Sequence, residues 1–161
     1  MKIGLGLFAV VAIACGPSTA ELKTAKTSQY TGEPAEMFKI IVDTTAENYK
    51  ISSAAPVDDW FGLMTEPQWY NAEGGRQSAG AGNTVMIGEG SVRVQFRVEM
   101  HPTESRRYMI TITPRTFQYV TGSPQPRELT PDDPNLPGWV HGRVDTLHFE
   151  IHKRLQNYAV K

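Results

Sequence analysis

The sequence predicts an α+β fold: a two-layer sandwich in which two helices cover one face of an antiparallel sheet, in the order β-α-β-β-β-β-α. Three patterns point to it. Val92, Val94, Phe96, Val98 and Met100 alternate with Arg93, Gln95, Arg97 and Glu99. Successive side chains of a strand fall on opposite faces, so this one has an apolar side and a solvated side. Phe38, Ile41, Val42, Thr45 and Tyr49 recur at spacings of three and four, as do Val140, Val144, Leu147, Ile151, Leu155 and Tyr158. Each set forms one apolar stripe on a helix. One-sided helices and a one-sided sheet bury their apolar sides against each other.

Taken in order, Gly16 to Thr27 is small and polar and reads as a tether running into a first strand near Lys23 to Tyr30. A helix is expected from about Pro34 to Tyr49. Pro34 suits a first turn, and Glu33 and Glu36 complement the positive helix end. Strands follow at Lys50 to Ala55, Trp60 to Glu66 and Gln68 to Asn71, punctuated by Pro56 and Pro67. The glycine-rich stretch from Glu73 to Thr84 has almost no apolar side chain to bury, so it reads as a mobile loop. After the clear strand at 92–100, His101 to Ser105 supplies a turn and Tyr108, Ile110 and Ile112 mark the returning strand. The apolar parity then shifts at Pro114 to Phe117 and Tyr119, which points to a bulge or an edge position. Prolines 124, 126, 131, 134 and 137 make Ser123 to Gly138 an extended surface connection, and the last helix runs from Val140 to Tyr158.

The start of the chain has a different character. Met1 and Lys2 precede an uncharged apolar run from Ile3 to Ile13, closed by Ala14 and the single cysteine, Cys15. This is the layout of a secretory signal. At about 16 Å as a helix the run falls well short of a bilayer core. Ala12-Ile13-Ala14-Cys15 resembles the lipobox of bacterial lipoproteins, with Ala12 standing where that family usually has Leu. The resemblance implies cleavage before Cys15, lipid attachment on its thiol and acylation of its new amine. Gly16, rather than Asp, after the cysteine implies the periplasmic face of the outer membrane. The expected organisation is a signal peptide over 1–14, an acylated N-terminus and tether over 15–28, and one periplasmic domain over 29–161.

Cleavage after Ala14 leaves 147 of the 161 residues, a common size for one domain. The composition, 40% hydrophobic and 20% charged, supports a real core. Losing Lys2 leaves 15 basic against 17 acidic residues, a net charge of −2, which argues against nucleic acid as a partner. The predicted element order also resembles the helix-grip arrangement of small periplasmic lipoprotein domains, including those of the C component of the outer-membrane β-barrel assembly machinery. That resemblance covers residues 23–158, rests on order alone and brings no functional residue with it.

Several constellations are candidates for chemistry. His141, Asp145, His148 and His152 lie in one band of the last helix, and imidazoles four apart can share a metal. His148-Phe149-Glu150-Ile151-His152 is not a zincin pattern, however, and the helix alone supplies too few ligands. The expectation is therefore no metal, with His148 at the core's edge and His141 and His152 solvated. Trp60-Phe61 and Trp69-Tyr70 are neighbours on strands, so one member of each pair can lie outside the core. Packing against the sheet is the simpler role for them, and stacking on sugars or docking a protein the alternative. Arg93, Arg97, Arg106, Arg107 and Arg115 cluster on the strand pair and make its outer side locally basic. Trp139 is expected to pin the long loop to the last helix. The glycine-rich stretch lacks a dinucleotide or phosphate-loop fingerprint, the pairs Asp58-Asp59 and Asp132-Asp133 sit in turns, and no serine stands in a nucleophile elbow.

The sequence thus predicts a membrane-anchored lipoprotein with a non-enzymatic interaction domain, an envelope assembly accessory. Its expected contacts are the lipid bilayer and an envelope protein, with no cofactor. The alternative is a ligand-binding domain or hydrolase acting on cell-wall or surface polymer, with Trp60, Trp69 or the histidine band near its site.

Overall fold

Ser18 opens the first helix, α1 (Thr19–Thr27), through a capping box: its hydroxyl accepts from the Glu21 N–H at 3.3 Å, and its own N–H donates to the Glu21 carboxylate at 2.7 Å. This corrects the expectation of a tether passing into a strand at Lys23 to Tyr30. The strand is reduced to Tyr30, whose backbone exchanges hydrogen bonds of 2.9 and 2.8 Å with Tyr108. The structure, a computed structural model, describes residues 16–77 and 87–160. Cys15, the signal-like segment and most of the glycine-rich stretch lie outside the described residues.

Helix α2 (Pro34–Ala46) starts at the expected proline and buries Met37, Phe38, Ile41, Thr44 and Thr45. It stops before Tyr49. The hydroxyls of Thr44 and Thr45 bond back to the carbonyls of Ile40 and Ile41, and the N–H groups of Asn48 and Tyr49 both turn onto the Thr45 carbonyl. Tyr49 still reaches the core, with its ring edge-on to Phe96 at 4.9 Å.

Six strands follow: β1 (Ile51–Val57), β2 (Trp60–Thr65), β3 (Gln68–Tyr70), β4 (Val92–Pro102), β5 (Tyr108–Gln118) and β6 (Arg127–Leu129). They form one antiparallel sheet in the order β1-β2-β4-β5-β6, and β3 pairs with β4 as well. The pairing of β4 with β5 runs unbroken from Val92 opposite Gln118 to Pro102 opposite Tyr108, so there is no bulge at Pro114. That proline faces Phe96, whose N–H turns the other way to Thr65 Oγ1 at 3.0 Å. Because β6 pairs only with Thr116 to Gln118, Pro114 sits on an open edge where its missing N–H leaves no partner unsatisfied. The parity shift is a change of face: Ile110, Ile112 and Thr116 keep to the core side, while Phe117 belongs to the outer side. The proline-rich connection also holds the unexpected β6, which buries Leu129.

Helix α3 (Gly138–Arg154) and a 3-10 turn (Gln156–Tyr158) close the chain. Val140, Leu147, Ile151 and Leu155 meet Met37, Phe38 and Ile41 over the inner row of Val92, Val94, Phe96, Val98 and Met100. Each large side chain buried there contributes about 1.5–3 kcal/mol. The α+β sandwich is as predicted, with α2 and α3 on one face of an antiparallel sheet. The additional helix, α1, lies along α3, joined by buried Ala25 and an ion pair between Lys26 and Asp145.

Candidate functional site

The outer face of the sheet follows directly from the alternation in β4. With Val94, Phe96 and Val98 committed to the core, Arg93, Gln95, Arg97, Glu99 and His101 must point the other way. No described element covers this face. At one end, Trp69, Arg93, Phe117 and Glu128 stand opposite one another on β3, β4, β5 and β6. The Arg93 guanidinium lies between two rings, 5.6 Å from the centroid of Trp69 and 4.9 Å from that of Phe117. Its Nε is buried without a hydrogen-bond partner among the described residues. Arg115 also lies over Phe117, at 5.3 Å, and reaches Glu128 at 3.5 Å.

At the other end Trp60 lies flat on the sheet. A Cβ on Gly62 would come within 2.7 Å of the Trp60 ring, so only glycine lets the indole settle there. His101 stacks on the indole at 4.9 Å and Arg97 lies 5.7 Å from its centroid. Glu99 holds both, at 2.5 Å from Arg97 and 3.7 Å from His101. His101 is therefore a strand residue of the outer face, not part of a turn. The expected division of the aromatic pairs is observed: Trp60 and Trp69 face outward, whereas Phe61 packs on Phe38 at 5.1 Å and Tyr70 is fully buried. Of the five clustered arginines, Arg93, Arg97 and Arg115 share this face. Arg106 occupies the following turn, and Arg107 reaches Gln29 at 3.4 Å.

The histidine band is divided among separate tasks. His141 is exposed, and Asp145 is taken by Lys26. His148 is buried, and that burial, reinforced by Lys26 and opposed by Asp145, lowers its pKa to about 4. His152 is not simply solvated as expected. Its Nδ1 lies 2.9 Å from the hydroxyl of Tyr30, and partial burial lowers its pKa too. Among the described residues no three His, Cys, Asp or Glu side chains are grouped to hold a metal ion. Asp58 makes the β1–β2 turn with φ 52°, and Asp133 accepts from Arg127 and Asn135. Cys15 lies outside the described residues.

Trp139 does something other than expected: its Nε1 donates to the Ala72 carbonyl at 2.9 Å and fixes the turn after β3 rather than the proline-rich loop. Residues 73–77, expected to be mobile, are held there by bonds to α3 and to the end of α2. The sequence signal for this anchoring is faint, because its hydrogen bonds to α3 and Asn48 go to backbone carbonyls, which no side-chain pattern marks.

No family model matches the chain, and no curated protein or solved structure is significantly similar to it. No helix among the described residues is long and apolar enough to cross a membrane.

Proposed function

We propose that the chain is a lipoprotein, anchored through Cys15 at the periplasmic face of the outer membrane, whose domain binds another envelope protein and catalyses no reaction. The single observation that carries the partner is the Trp69-Arg93-Phe117 sandwich on the open sheet face. Two rings hold a guanidinium in a fixed plane, and its buried Nε has no acceptor among the described residues. A partner that brings a carboxylate to the terminal N–H groups of Arg93 gains a charge-assisted hydrogen bond. The partner surface that fits is therefore acidic and flat. Support for the anchor is the lipobox-like Ala12-Ile13-Ala14-Cys15.

Photocrosslinking in living cells tests the partner. A photoreactive residue at Thr111 or Thr113, both exposed on the outer face, should give a discrete protein adduct that Arg93→Glu abolishes. The same group at Lys39, on the solvent side of α2, should give none. Adducts of equal yield from Lys39, or adducts indifferent to Arg93→Glu, would refute the docking face. Adducts with polysaccharide alone would turn the reading to the polymer-binding alternative. Mass spectrometry of the native N-terminal peptide tests the anchor: acylated Cys15 is expected, and a peptide that retains Met1 or begins at an unmodified Gly16 would overturn it.

A further inference from the structure

On the helix side of the sheet, away from the open face, a hollow of about 160 Å³ lies between α3, the end of α2 and the turn after β3. Arg76 and Arg143 both line it, with Tyr49 and Glu150. Each guanidinium is fixed by one carbonyl and at least one ring. Arg76 donates to the Asn48 carbonyl at 2.6 Å and lies 5.9 Å from the centroid of Tyr49. Arg143 donates to the Gly74 carbonyl at 2.7 Å and lies 4.4 Å over Tyr70 and 5.5 Å over Trp139. Among the described residues neither is ion-paired with a carboxylate. A guanidinium has five N–H donors in a rigid fork, so one carbonyl leaves most of that capacity open.

Two phenols lie close by, of which Tyr49 lines the hollow. Tyr70, directly under Arg143, is fully buried and its hydroxyl has no hydrogen-bond partner among the described residues. Burial, with Tyr70 adding to it, keeps the Tyr49 hydroxyl protonated well past neutral pH, against the opposing pull of Arg143 and Arg76. Two locked cations and the protonated Tyr49 phenol form a set rich in donors and poor in acceptors. What such a set lacks is an oxyanion.

We propose that this hollow binds the carboxylate group of a small organic acid, gripped between the guanidiniums of Arg76 and Arg143 with the Tyr49 hydroxyl beside it. Two features choose carboxylate over phosphate. Glu150 lines the same hollow, so two arginines against one glutamate leave a single net positive charge, which suits a monoanionic group better than a dianion. The volume is also below the 300–1,000 Å³ typical of whole-ligand pockets, so it accommodates a planar head group while the rest of the molecule stays outside. The hollow involves none of the outer-face residues, so it is independent of the docking surface.

The test is titration of the full chain, purified in detergent, with sodium succinate at constant ionic strength, followed by thermal midpoint and calorimetry. A saturable rise in midpoint is expected that sodium chloride does not reproduce. Arg76→Gln, at the exposed mouth, should weaken succinate binding at least tenfold while the far-UV spectrum stays unchanged, and Arg76→Lys should restore only part of it because the fork is lost. N-acetyl-trialanine against its C-terminal amide distinguishes a peptide terminus from a free acid as the source of the carboxylate. A response equal to that of chloride, or equal affinity in Arg76→Gln, would overturn the site. Tighter binding of inorganic phosphate than of succinate would overturn the choice of carboxylate. Arg143→Gln is the secondary variant: Arg143 props Tyr70 and Gly74, whereas Arg76 is exposed and gives up one bond to the Asn48 carbonyl, so the deciding comparison is the one at Arg76.

Discussion

The hydroxyl of Tyr30 meets Nδ1 of His152 at 2.9 Å, joining the sheet-edge bridge to the last turn of α3. Tyr30 is buried, and burial raises its pKa to about 12, so its hydroxyl keeps its proton at every physiological pH. The neutral imidazole can meet it in either role, according to its tautomer. His152→Ala leaves the Tyr30 hydroxyl without a partner and is expected to destabilise the domain by about 1–3 kcal/mol, whereas Tyr30→Phe removes the need together with the bond and is expected to cost about 1 kcal/mol. Urea midpoints decide between them. A His152→Ala protein as stable as its parent would show the bond to be incidental.

A second prediction concerns acid. The pKa of His148 is about 4 in the folded chain against an ordinary value of 6.5, with burial first among the causes, then Lys26, and Asp145 opposing. As pH falls below 6.5 the unfolded chain takes up the proton first, so stability is full above that value, declines down to about pH 4 and levels off beneath it. Each pH unit between the two values is worth roughly 1.4 kcal/mol, so the loss is about 3 kcal/mol. The lowered pKa of His152 acts in the same direction. Unfolding curves at pH 7, 5 and 4 should show the decline, and His148→Gln should flatten most of it. A slope unchanged by that substitution would place the acid sensitivity elsewhere.

The two faces of β4 make a third. Phe96 is 1% exposed, and Phe96→Ala is expected to cost about 3–5 kcal/mol through transfer and cavity terms. Arg97→Ala, on the neighbouring position, loses an exposed ion pair and a cation–ring contact and is expected to cost about 1 kcal/mol or less. Thermal midpoints of the two variants should differ by many degrees. Equal shifts would contradict the assignment of faces.

The fourth uses Gly62. A methyl group there would come within 2.7 Å of the Trp60 ring and must lift the indole off the sheet, separating it from His101. Gly62→Ala is expected to red-shift part of the tryptophan fluorescence and make it easier to quench with acrylamide, with the fold retained. If the open face docks a protein, crosslinks from Thr111 should weaken in the same variant. An emission spectrum identical to the parent's would mean that the ring does not lie where the structure places it.

How legible each part is depends on how local its cause is. The alternation through Val92 to Met100 and the stripes of the two long helices require burial on one side, and the sandwich follows from them. Helix α1 escapes because it buries only Ala25, and its signal is instead the Ser18-Glu21 box, a pattern of two polar residues easily read as linker. Phe117 reads as a kink because a large ring suggests core, yet its place is under Arg93 and Arg115 on the outer side. Nothing local distinguishes an aromatic that packs inward from one that packs under a cation. Arg76 and Arg143 lie 67 positions apart and meet only through the fold, so no spacing rule brings them together.

Helix α1 would also set how far a lipid-anchored domain can travel. Should Cys15 carry lipid as proposed, the docked helix would leave only Gly16 to Ser18 as free leash, about 10 Å of extended chain, and the domain would ride close against the bilayer. One buried alanine and one ion pair are a modest hold. Released and drawn out, the stretch from Cys15 to Tyr30 would span about 50 Å. The Lys26–Asp145 latch would then separate a short range of search from a long one, so that a loss of two charges becomes a change in the volume an anchored domain can sample.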